Sequence, residues 1–132
     1  MSGQRRSPAE MCGQQLAATV DQTFGEQTDV YRVSRKIFAL LNRERNVLTI
    51  KTPLDEGEAL RSTHSWAHTA YYMNKRHWTT LDLAAGVPAD ELKALITESY
   101  QLVFESLSKK TRAELRDRFV DRSLEDRSIT QP

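Results

Sequence analysis

From residue 29 to residue 52 the chain reads DVYRVSRKIFALLNRERNVLTIKT, and this stretch decides the fold class. Short runs of Val, Ile, Phe, Tyr and Thr are broken by two polar segments, Ser34-Arg35 and Arg43-Glu44-Arg45-Asn46. β-Branched and aromatic residues suit a pleated, half-buried surface, and polar breaks of this length mark turns. The stretch predicts three consecutive antiparallel strands. In the second, alternation places Ile37, Ala39 and Leu41 on one face and Phe38 and Leu40 on the other. In the third, Leu48 and Ile50 oppose Val47, Thr49 and Lys51.

Working outward toward the N-terminus, Ser7-Pro8-Ala9-Glu10 has the form of a helix start: a cap serine, a proline in the first turn and a glutamate three residues after the serine. Met11, Leu16, Val20 and Phe24 form an apolar stripe, which predicts a helix over 8–22 stopped by Gly25. Toward the C-terminus, Thr52-Pro53 with Asp55 and Glu56 predicts a short helix to Ser62 with Thr52 as its cap. Residues 69–73 read as an edge strand and Trp78–Leu83 as another, with Leu81 and Leu83 on one face. Leu92, Leu95, Ile96, Tyr100, Val103, Phe104 and Leu107 keep a helical period after Gly86-Val87-Pro88, giving the longest helix. A final amphipathic helix is expected over 109–119.

The expected order is therefore α-β-β-β-α-β-β-α, an α+β fold of two layers with an antiparallel sheet packed against helices. At 132 residues the chain is expected to form one domain, 1–132, with a core over about 8–110 and a partly disordered C-terminal extension over 111–132. The 39% apolar and 28% charged content is that of a globular protein, and no apolar run approaches the roughly 20 residues of a membrane span. Neither a signal peptide nor a twin-arginine export signal is completed after Arg5-Arg6, so a cytoplasmic location without membrane attachment is expected. Cys12 is the single cysteine, which excludes an intramolecular disulfide and reads as a small apolar residue.

Charge is uneven. Residues 31–78 hold nine Lys or Arg against four Asp or Glu, whereas residues 79–107 hold one lysine against five acids. A positive side suits an anionic partner. His64 and His68 have the spacing of a helical metal pair but lack the acidic residue of a metalloprotease motif, so neither metal nor cofactor is expected. No nucleophile elbow or glycine-rich phosphate loop is present either, and a binding protein rather than an enzyme is expected.

The run Tyr71-Tyr72-Met73-Asn74-Lys75-Arg76-His77-Trp78 resembles the signature segment of the MmcQ/YjbR family of small bacterial proteins. Phe24-Gly25-Glu26 through Asp29-Val30-Tyr31, Lys36 through Leu41, and Val87-Pro88-Ala89-Asp90 leading to Ser99-Tyr100 agree in the same order, over roughly residues 8–110. Three positions depart from the family pattern. Tyr72 stands where a histidine is common, Trp66-Ala67-His68-Thr69 replaces a Gly-x-Arg-Pro stretch, and Ser34-Arg35 replaces a Gly-Gly turn. The resemblance implies an antiparallel sheet against helices, likened to secretion chaperones, and a DNA-binding label that rests on structural analogy.

Two sets of residues stand out. Arg32, Arg35, Lys36, Lys75, Arg76 and His77 are candidate phosphate contacts for weak, salt-dependent DNA binding. Trp66, His68, Tyr71, Tyr72, Asn74 and Trp78 are candidates for an aromatic cleft holding a planar small molecule, with a link to antibiotic resistance as one role for such sequestration. Against both stands the plain alternative that Tyr71 and Trp78 are core, that Asn74 makes a turn and that the cations are solvated surface. A protein-interaction adaptor using the sheet or an exposed helix is a third reading. The protein is expected to be a monomer or a weak homodimer.

Overall fold

The computed structural model describes residues 7–70, 73–74 and 76–118. Helix α1 (Pro8–Gly13) leads into strands β1 (Ala18–Asp21), β2 (Thr28–Val33), β3 (Lys36–Asn42) and β4 (Val47–Lys51). Helix α2 (Leu54–Thr63), strands β5 (Ala67–Thr69) and β6 (Trp78–Asp82), a 3-10 turn at Leu83–Ala85 and helix α3 (Ala89–Glu105) follow. A helix over 109–118, α4, ends the described chain. All strand pairs are antiparallel, in the order β1-β2-β3-β4-β6-β5. Helix α3 packs on β2, β3 and β4, α1 packs on α3, and α2 packs on β5 and β6. The core lies between the helices and the sheet face bearing Tyr31, Val33, Ala39, Leu41, Leu48, Ile50 and Leu81. This is the two-layer α+β architecture expected, with one strand more.

That strand comes from the stretch read as the second half of the first helix. The start is as expected: the Ser7 hydroxyl accepts from the Glu10 N–H at 3.2 Å and the Glu10 carboxylate accepts from the Ser7 N–H at 3.0 Å. The helix nevertheless stops at Gly13, and Ala17 at φ 61° turns the chain into β1. Val20 and Phe24, taken as part of a helical stripe, are 56% and 59% exposed. Pairing of Ala18–Asp21 with Val30–Val33 covers the edge of β2, whose outward N–H and C=O groups a helical extension would leave unpaired by any strand.

The second correction is in β3. Tyr31 pairs with Ala39 but Arg32 pairs with Ile37, so Phe38 is an extra, bulged residue. The bulge turns Phe38 toward the helices beside Ala39, and both are fully buried, instead of leaving Phe38 on the side of Leu40. The Phe38 carbonyl is bridged by Ser99 of α3, whose hydroxyl donates to it at 2.6 Å and accepts from the Lys51 N–H at 2.8 Å. Alternation in β4 is as read: Leu48 and Ile50 are buried and their neighbours half-buried.

Smaller differences follow the same logic. Thr52 does not cap α2; Pro53 occupies that position and the Thr52 hydroxyl pairs with that of Thr79 at 3.0 Å inside the core. The edge strand spans Ala67–Thr69, starting two residues earlier than read; of the expected 69–73, Tyr71 and Tyr72 lie outside the described residues. Leu83 opens the 3-10 turn instead of sharing a face with Leu81. Of the expected extension over 111–132, residues 111–118 belong to α4 and residues 119–132 lie outside the described residues.

The two-residue turn between β2 and β3 has Ser34 at φ 47° and Arg35 at φ 75°. Positive φ at both central positions matches the right-handed strand twist, but side chains other than Asn, Asp and Gly resist it. Ser34→Asn is expected to stabilise the protein by about 0.5–1 kcal/mol. A higher urea midpoint with an unchanged slope would show it, and a lower midpoint would contradict it.

Candidate nucleic-acid interface on the helix-free sheet face

Side chains alternate along each strand, so the residues between the core positions form the opposite face, on which no described helix packs. Strand register arranges them in rows. One crosses all six strands as Asp21, Val30, Leu40, Thr49, Thr80 and His68. The next contains Thr19, Arg32 and Ile37 on one side of the sheet, with Lys51 directly opposite Trp78 on the other. Thr28, Asn42, Val47 and Asp82 form the third. The Thr49 and Thr80 hydroxyls satisfy each other at 2.9 Å, leaving a floor of low polarity.

The register also brings separate basic segments to one end of the sheet. The Ser34-Arg35 turn, the C-terminal end of β4 at Lys51 and the Arg76-His77 turn before β6 all lie there. The Thr52 N–H donates to the His77 carbonyl at 2.8 Å, extending the β4–β6 ladder into that turn. Two strand spacings separate β3 from β6, roughly 10 Å. Asn74 builds the turn: its side-chain oxygen accepts from the Arg76 N–H at 2.9 Å, and its carbonyl accepts from the N–H groups of His77 and Trp78, both at 3.0 Å.

The sequence-derived candidates fare differently. Arg35, Arg76 and His77 are exposed at the basic end. Arg32 is on the helix-free face but committed, with its Nε 2.7 Å from the Asp21 carboxylate and a terminal nitrogen donating to the Arg35 carbonyl at 3.0 Å. Thr23 hydrogen bonds and Arg32 together hold the Asp21 carboxyl down to about 2. Lys36 lies opposite core residue Val33, and its Nζ reaches the Ser106 hydroxyl at 3.2 Å, at the C-terminus of α3. Lys75 lies outside the described residues.

The aromatic set divides. Trp66 is buried in the core with the His64 ring stacked on it at 4.3 Å between centroids, while Trp78 is half-buried on the helix-free face. These two tryptophans do not line one cleft, and Trp78 is not core. His68, opposite Thr80, is exposed and diagonal to Trp78. Lys51 is the residue the sequence reading passed over as a contact. Its signal was its place on the face of Val47 and Thr49, but its pairing with Trp78 spans 27 residues and no local pattern announces it.

Elsewhere, Ala17, Ala18 and Thr19, the Ser34-Arg35 turn and the α4 residues Thr111, Glu114, Leu115 and Arg118 line an open groove of about 800 Å³. Among the described residues no group of three or more His, Cys, Asp or Glu is placed to hold a metal, and no helix is long and apolar enough to cross a membrane. Burial pushes the Cys12 thiol up to about 12, leaving it protonated and unreactive at neutral pH.

On the helix side, Glu98 of α3 meets Glu56 of α2. Burial first, then the hydrogen bond and charge of Glu56, push the Glu98 carboxyl up to about 7. The folded state then holds a proton that the unfolded chain releases near 4.5, so stability is greatest below that pH and falls as pH rises through 7. Glu98→Gln is expected to flatten this loss, retaining about 1 kcal/mol at pH 8 once solvent screening is allowed for. Thermal unfolding from pH 5 to pH 8 checks it; parallel profiles for the two proteins would count against it.

Known proteins resemble this chain in sequence and in fold. A Deinococcus radiodurans crystal structure, protein DR2400 with the domain DUF419, superposes with a TM-score of 0.75 at 30% identity, over 80% of this chain and 83% of its own. A Pseudomonas syringae structure gives 0.61 at 25% identity, over 71% and 93%. In sequence, the Escherichia coli O157:H7 protein YbdF, described as uncharacterized, is 30% identical over 70% of this chain and 78% of its own. The Escherichia coli K12 protein YjbR, also described as uncharacterized, is 29% identical over 61% and 70%. The YjbR family model matches residues 14–102, the span from the end of α1 into the last turn of α3 that builds the whole sheet, and the chain belongs to the YjbR family.

Proposed function

We propose that this protein is a nucleic-acid-binding module that contacts DNA weakly and in a salt-dependent way through the basic end of its sheet. The observation that carries the reading is the register that gathers Arg35, Lys51, Arg76 and His77 at one end, beside the exposed part of Trp78. Phosphate contacts by Lys and Arg release condensed counterions, so affinity falls steeply with salt. The net charge of +1 limits long-range attraction, so the expected affinity is that of a non-specific binder, on the order of 10⁻⁴ to 10⁻⁶ M.

Anisotropy titrations of a labelled oligonucleotide at low and at physiological salt test this. Binding is expected at low salt, and Arg35→Ala with Arg76→Ala should reduce the slope of log affinity against log salt by about 2, with the far-UV spectrum unchanged. Absence of binding at low salt ends the reading. A planar small molecule is a second reading, supported by the diagonal placement of His68 and Trp78. A free nucleoside that binds as tightly as the oligonucleotide would favour it.

A further inference from the structure

We infer, resting on the nucleic-acid reading above, that the helix-free face takes a single strand rather than a duplex, with neighbouring bases on Trp78 and His68 and phosphates along Lys51 and Arg76. Three features of the face point the same way.

The first is the chemistry of the floor. Leu40, Thr49 and Thr80 are half-buried, with the threonine hydroxyls paired to each other, while Val30 beside them is fully covered and adds no polar group. Such a floor has little to offer a phosphate and suits the flat, weakly polar face of a base. A duplex keeps those faces stacked inside, whereas a single strand can turn them outward onto rings.

The second is the placement of the rings. His68 faces Thr80 across β5 and β6, and Trp78 is two residues before Thr80, so the two rings project from the same face as diagonal neighbours. Diagonal positions lie roughly 7–8 Å apart, near enough for successive unstacked bases. Trp78 is half-buried and His68 exposed, so both keep ring surface open.

The third is the one-sided charge. Cations border the face at the end holding Arg35, Lys51 and Arg76. The row nearest the other end, Thr28, Asn42, Val47 and Asp82, contains an acid and no cation. In the adjoining turn, Arg43 is engaged by Asp29 at 3.2 Å and Glu44 stands beside Arg45. One phosphate backbone fits along the basic border. The second backbone of a duplex would fall toward Asp82, and the helices that could enter a groove are packed on the opposite face.

The test uses the full chain with a labelled pyrimidine oligonucleotide and with the duplex made from it, at low salt. The single strand is expected to bind more tightly and to quench the fluorescence of Trp78, the more exposed of the two tryptophans. Trp78→Leu should weaken single-strand binding about tenfold, as for loss of one stacked base, and Trp78→Phe should restore most of it. His68→Ala should weaken it several-fold, and circular dichroism checks that each variant is folded. If the duplex binds as tightly as the single strand and Trp78→Leu affects both equally, the single-strand inference falls while nucleic-acid binding stands. If neither binds at low salt, both fall together.

Discussion

Phe38→Ala is expected to lower the free energy of unfolding by about 3–5 kcal/mol, the cost of removing a buried aromatic and leaving a cavity. Phe38 is fully buried, meets the Tyr100 ring edge-on at 5.3 Å and lies 6.3 Å from that of Tyr31. Its position makes collapse around the void difficult. The ring projects from a bulge held to α3, so neighbouring strands cannot close in without breaking the Ser99 bridge. Tyr100 is tied as well, its hydroxyl donating to the Leu16 carbonyl at 2.7 Å and so fixing the connection between α1 and β1. Urea denaturation measures the effect. A loss below about 1 kcal/mol would mean that the bulge relaxes and that Phe38 does not anchor the sheet to α3.

Ser99→Ala is expected to cost about 2–4 kcal/mol, although it deletes a single oxygen. Ser99 is fully buried, and its hydroxyl stands between the Phe38 carbonyl and the Lys51 N–H just past the Ala39–Ile50 pair, where the β3–β4 ladder ends next to the bulge. Alanine would leave a buried acceptor and a half-buried donor unpaired, each costing about 1–3 kcal/mol when no water reaches it. Lys51 is also the cation opposite Trp78, so the same substitution should loosen the basic end. Faster amide exchange at Lys51, with α2 and β6 retained, is the expected signature. Unchanged exchange there would show that the ladder closes without the serine.

The hairpins of β2, β3 and β4 were legible because their information is local: each turn joins strands a few residues apart, and alternation reports one buried face. The long helix was legible for the same reason, its apolar residues repeating over more than three turns from Leu92 to Phe104. The first helix misled because a spacing of four and five residues among Met11, Leu16, Val20 and Phe24 resembles a helical stripe. Only pairing with β2, whose partners are 9–15 residues away, shows that residues 18–21 are a strand. The bulge at Phe38 was equally hidden. Residues 37–41 form an unbroken apolar run that gives no sign of an irregularity, and the serine that stabilises it is 61 residues further on.

The candidate site divides along the same line. By itself the sequence determined the α+β class, the family, the excess of cations between residues 31 and 78 and the residue types available to meet an anion. Arg35, Arg76, His77 and His68, all exposed, were marked as candidates from their places in the sequence. Only the tertiary structure decided that Arg32 is committed to Asp21 and Lys36 to Ser106, that Trp66 is spent in the core while Trp78 is open, and that Lys51 stands beside it. The physical reason is that charge and aromaticity belong to a residue, whereas availability belongs to its neighbours. Those neighbours are set by strand register and helix packing across tens of residues, where loop closure and core burial outweigh any local preference.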